Sequence, residues 1–167
     1  MGVDLGLRNT GLCFGDASGN VFDIRTVVTK KSDYRLKSHQ LWYECYGLSR
    51  NLQRLLKTAD CIAVELPHGG VRGNNATALR LMSAAVGLFA GYTVLHSRQP
   101  RVILCTPNEV KKAVSAKGAV SKEQVIEYCN AKYPHLDWGP TKGIHEHMAD
   151  AIVVYELLIK RLKSGES

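Results

Sequence analysis

The order of the apolar segments is what most constrains this chain. Three short runs open it, Met1–Leu5, Thr10–Gly15 and Val21–Thr29, and their branched and aromatic residues read as strands. The turn residues Asp16-Ala17-Ser18-Gly19-Asn20 join the second and third runs as a hairpin. An amphipathic helix follows from about Tyr34 to Lys57, with Leu41, Cys45, Leu48, Leu52 and Leu55 at three- and four-residue steps on one face. Asp60–Leu66 reads as a buried strand, and a second helix carries Leu79, Met82, Val86 and Phe89 on one face. Arg101–Cys105 is another strand. Thr106-Pro107-Asn108-Glu109 then has the form of a helix start: Thr as N-cap, Pro first, Glu third. That helix runs to Val114. Ser121-Lys122-Glu123-Gln124 opens the next, Tyr133-Pro134 ends it, and a last helix runs from about His145 to Leu162. Strands separated by helices require an α/β sheet, here with an antiparallel hairpin at its start.

No repeat, low-complexity tract or linker divides the 167 residues, so 1–167 is expected to be a single domain. The 22 Lys and Arg against 15 Asp and Glu leave a net charge of +7, which favours a polyanionic partner, nucleic acid before a membrane surface. The longest uncharged stretch, Leu81–Ser97, is shorter than the roughly 20 apolar residues of a spanning helix. It is also broken by Ser83, Gly87, Gly91, Thr93 and His96. Asp4 stands too early for a secretory signal. The five cysteines (Cys13, Cys45, Cys61, Cys105, Cys129) are odd in number and contain no C-x-x-C pair. They argue against a disulfide framework and a zinc ribbon, and read as small buried hydrophobes of a reduced, cytoplasmic protein.

Three acidic residues carry the chemistry. Asp4 closes the first strand, Glu65 closes the fourth, and Asp150 sits in the apolar last helix. A carboxylate in an apolar setting is costly unless paired or bound to metal. Converging carboxylates suit Mg²⁺, a hard cation with oxygen ligands, and two such ions can clamp the attacking and leaving oxygens of a phosphodiester. Taken singly, Asp4 also fits a turn former, Glu65 an ion-pair member and Asp150 an ordinary helix residue. In the last helix both Glu146 and His147 can share a face with Asp150, and spacing alone does not choose between them.

These segments resemble the RuvC-type Holliday-junction resolvases of the RNase H-like (retroviral integrase) superfamily. Gly2-Val3-Asp4-Leu5-Gly6 through Thr10-Gly11 is similar to the family's first-strand motif, and Val64-Glu65 to its second acidic motif. Thr106-Pro107-Asn108-Glu109-Val110-Lys111 with Lys122-Glu123-Gln124-Val125 resembles its most specific stretch, and His147-Met148-Ala149-Asp150 its C-terminal motif. The resemblance implies an RNase H-like fold: a mixed five-stranded sheet, three antiparallel strands first and then two parallel, with helices on both faces. It also implies a homodimeric, Mg²⁺-dependent crossover junction endodeoxyribonuclease whose paired nicks leave 5′-phosphates. Two Mg²⁺ ions, replaceable by Mn²⁺, are expected on Asp4, Glu65, His147 and Asp150, with His147 favoured over Glu146 by the family pattern. Lys111 and Lys122 are expected to hold phosphates.

The chain departs from the family at Leu5, where Pro is usual, and at His68, where an aromatic is usual. Gly69, Gly70 and Gly73 lengthen the loop after Glu65. Arg72, Asn74 and Asn75 in that loop are candidate DNA contacts, or a solvated loop. The Gly87/Gly91 helix is a candidate dimer face, or ordinary core. Divergent motifs and compact size look more like a phage or viral member. A broader nuclease for forks and flaps and a non-catalytic DNA-binding relative are the competing readings. Asp4-Leu5-Gly6 also resembles the opening phosphate motif of actin-like kinases, but 167 residues do not hold their two domains, so no nucleotide cofactor is expected.

Overall fold

The computed structural model describes residues 1–6, 9–28, 43, 46–47, 49–50, 53–54, 59–66, 83–84, 86–87, 90–91, 94, 100–115 and 120–165. The expected α/β architecture is present. Five strands, β1 (Gly2–Asp4), β2 (Asn9–Gly15), β3 (Val21–Val28), β4 (Cys61–Glu65) and β5 (Arg101–Cys105), form one sheet in the order β3-β2-β1-β4-β5. The first three pair antiparallel, and β4 and β5 join β1 in parallel. The hairpin turn forms as its residues dictate. The Asp16 carboxylate accepts from the backbone N–H of Ser18, Gly19 and Asn20, and Gly19 takes φ 103°, a conformation costly for a side chain.

Three helices lie after the last strand: α1 (Pro107–Val114), α2 (Lys122–Lys132) and α3 (Lys142–Ser164). Thr106 and Ser121 close full capping boxes with Glu109 and Gln124, so the two helix starts lie where the sequence sets them. Helix α3 starts at Lys142 rather than near His145. Its N-cap, Thr141, makes no side-chain cap; the Thr141 carbonyl accepts from the Ile144 N–H at 3.1 Å. The described residues between 43 and 54, and between 83 and 94, are helical, in keeping with the two helices read there. The rest of those segments lies outside the described residues. So do Cys45 and the loop carrying His68, Arg72, Asn74 and Asn75.

The inner strands of the sheet, β2, β1 and β4, are packed on both faces. On one, Cys13, Ala63, Ile103 and Cys105 pack under Ala149, Ile152 and Tyr155 of α3, with Val110 of α1 and Val125 and Cys129 of α2 alongside. On the other, Val3, Leu5, Leu12, Ile62 and Val64 pack with Val86. Cys13, Cys105 and Cys129 are buried free thiols as expected, whereas Cys61 is half-buried. Helix α3 lies unusually close to β1 and β2. A methyl group built at Gly2 would overlap the backbone of Ala151 and Tyr155, and one at Gly11 would overlap the carbonyl of His147. Helix α2 is clamped to α3 by Glu156, which accepts from Tyr128 and Tyr133 hydroxyls, each at 2.8 Å, and pairs with Lys132 at 2.9 Å. No helix among the described residues is long and apolar enough to cross a membrane.

Candidate active site

Strand pleat and register bring the acidic residues to one end of one face. Asp4 lies opposite Gly11, whose missing side chain lets α3 approach, so Asp4 faces α3. The parallel register pairs Gly2 with Ala63 and Val3 with Val64; one step further along both strands sets Asp4 beside Glu65. Both carboxylates therefore stand at the carboxyl ends of neighbouring parallel strands, where open α/β sheets bind their ligands. Helix α3 crosses above and supplies His147 and Asp150 from successive turns.

The four side chains sense one another. His147 Nδ1 lies 2.7 Å from Asp4 Oδ2, with side-chain exposures of 23% and 15%. That hydrogen bond is the main reason the imidazole is held above its ordinary value, against the opposing effect of burial. Burial first, then the charges of Asp4 and Asp150, push Glu65 up to about 8, while Lys111 pulls the other way. Burial, then Asp4 and Glu146, push Asp150 up to about 7, opposed by Lys122 and His147. Lys111 and Lys122 thus flank the carboxylates, Lys111 toward Glu65 and Lys122 toward Asp150.

The neighbours of α3 also separate the two alternatives that spacing left open. His147 turns to Asp4, while Glu146 turns away to pair with Lys122, Nζ to Oε1, at 2.7 Å. No sequence signal marks that ion pair, because its partners are 24 positions apart. Among the described residues, no group of three or more His, Cys, Asp or Glu side chains is placed to hold a metal ion as it stands. The donor chemistry nonetheless fits a hard divalent cation. Three carboxylates and one imidazole face a common region, and two of the carboxylates are held against their ordinary titration by burial first and neighbouring negative charge second. A cavity of about 340 Å³ lies at the opposite end of the sheet, lined by Met1, Phe14, Cys61, Tyr155 and Leu158, and takes no part in this arrangement.

No protein-family model and no curated protein matches the sequence. Solved structures do match the fold. Thermus thermophilus RuvC in complex with a Holliday junction substrate superposes with a TM-score of 0.68 at 19% identity, over 99% of this chain and 94% of that one. A second Thermus thermophilus RuvC structure gives 0.64 at 19% identity, over 99% and 95%. Nearly complete coverage in both directions, with the same mixed five-stranded sheet, means that this chain has the RuvC-type, RNase H-like fold.

Proposed function

We propose that this chain is a divalent-metal-dependent endodeoxyribonuclease that nicks four-way DNA junctions, with Asp4, Glu65, His147 and Asp150 as its catalytic and metal-holding residues. The observation that carries the reading is geometric: strand register sets Asp4 beside Glu65, and His147 of α3 reaches Asp4 at 2.7 Å, with Asp150 one turn further along the same helix. A structure of the same fold is described bound to a Holliday junction, which supports branched DNA as the substrate class. The +7 charge supports it independently.

Asp4, Glu65, His147 and Asp150 would hold Mg²⁺ or Mn²⁺, which would supply Lewis-acid polarisation of the phosphate and activation of a water. The chain's own contribution is positional. Asp4 orients the His147 ring through Nδ1. Glu65 and Asp150 hold oxygen donors in a half-buried setting where electrostatic interactions are strong. Lys111 and Lys122 bind strand phosphates and fix the scissile bond against the carboxylates. Arg72, Asn74 and Asn75, outside the described residues, are further candidate DNA contacts on the strength of their chemistry alone. A homodimer delivers two such sites related by a two-fold axis, as paired nicks need. Gly87 and Gly91 are exposed on a helix and meet no other described residue, and they are the proposed place of approach for a second copy's backbone.

The test is cleavage of four-way junctions, Y-forks, flaps and duplex with Mg²⁺ by wild type, Asp4→Asn and Glu65→Gln. Both variants are expected to lose nicking by at least about a hundredfold while still binding junctions. Wild-type cutting rates in either variant would refute the assignment. Equal cutting of forks and flaps would instead support the broader debranching reading, which the glycine-rich segment after Glu65 favours.

A further inference from the structure

This inference rests on the nuclease reading of the site and concerns a residue that reading does not use. Glu146 and His147 are consecutive on α3 and so point about 100° apart. His147 goes to the catalytic group; Glu146 reaches across to Lys122, the first residue of α2. The ion pair is accessible, with side-chain exposures of 68% for Lys122 and 32% for Glu146. The helix contact does not depend on it, since Tyr128, Lys132 and Tyr133 already fasten α2 to Glu156. The Lys122 ammonium also lies within the field of Asp4 and Asp150.

We infer that Glu146 is a positioning residue that occupies Lys122 in place of a DNA phosphate and is displaced when the strand enters. An anionic phosphate oxygen offers Lys122 the same charge-assisted hydrogen bond that the Glu146 carboxylate supplies. The exchange leaves the ammonium satisfied and releases a carboxylate exposed enough to be solvated. Until then, Glu146 holds Lys122 over the site instead of letting it sample solvent. A strand lying out of register gains nothing from Lys122, because it meets the ion pair rather than a free cation. Binding is therefore weaker than the bare lysine would allow, by the strength of one exposed pair.

The experiment is a double-mutant cycle read by fluorescence anisotropy. It uses the full chain with EDTA at low salt, and labelled four-way junction and linear duplex as probes. Glu146→Gln is expected to tighten binding about two- to fivefold, the worth of one exposed ion pair. Glu146→Asp, whose carboxylate is set back by one methylene, is expected to give a smaller gain and to serve if the first variant fails to fold. In a Lys122→Ala background the gain should vanish, because no partner remains to be freed. A gain of equal size without Lys122 would mean that Glu146 acts only as bulk negative charge, and would overturn the inference. So would unchanged or weaker binding of the Glu146 variants. Equal affinity for junction and duplex counts against the junction reading alone, since the cycle can be read on either probe. Failure to bind both overturns both.

Discussion

Among the described carboxyls, Glu65 and Asp150 are the two that the fold shifts furthest from their ordinary values. Burial and neighbouring carboxylates raise them to about 8 and about 7, and the Asp4 hydrogen bond raises His147. For each carboxyl, the folded protein binds a proton at pH values where the unfolded chain has released it. Stability therefore falls as pH rises from the ordinary carboxylate range through about 7 and about 8. His147 adds in the same direction, since its bond to Asp4 stabilises below the ordinary imidazole value and is lost as pH rises through the folded one. In chelator, the melting temperature is expected to fall between pH 5 and pH 9, roughly spanning these titrations. Glu65→Gln should melt higher than wild type at the alkaline end by several degrees, at about 2–4 °C per kcal/mol, and show little difference at the acid end. A flat profile in wild type would contradict this account of the site.

At the scale of elements, α3 positions the site and glycine positions α3. The two capping boxes and the strand runs were readable from local chemistry, and the strands lie within one or two residues of where their composition sets them. The start of α3 was not readable, because Thr141 carries no side-chain cap to mark it. Gly11 is the sharper case. It sits in the Thr10-Gly11 motif, but the reason for glycine is visible only where the His147 carbonyl fills the space a side chain would need. Gly11→Ala should cost about 1–3 kcal/mol, as overpacking does, and displace the helix that carries His147. Gly143→Ala, in the same helix with open space around it, should be neutral or slightly stabilising. Thermal denaturation of the pair separates close approach from a general intolerance of substitution in α3.

For the whole molecule, the relevant quantities are net charge and its placement. A charge of +7 predicts strong salt dependence of DNA binding, with log K falling about linearly in log salt. Lys111 is exposed on α1 and acts on Glu65, so it stands at the rim of the carboxylate group. Lys111→Ala should reduce the steepness of that slope by about 0.9, the share of one phosphate contact on duplex DNA. An unchanged slope would remove Lys111 from the interface.

The sequence by itself determined the kinds of element and their order, the turn at Asp16–Asn20, two helix starts, and the three acidic positions worth watching. All of these depend on neighbours a few residues away, through periodicity, capping and turn chemistry. Local pattern left open the strand order around β1, the meeting of Asp4 with Glu65, and the choice of His147 over Glu146; the family resemblance favoured His147, and the tertiary structure sets it, not Glu146, against Asp4. The rotation of α3 about its own axis makes that choice. It is set by how closely the helix settles onto Gly2 and Gly11, a contact between residues more than a hundred positions apart that no local pattern encodes.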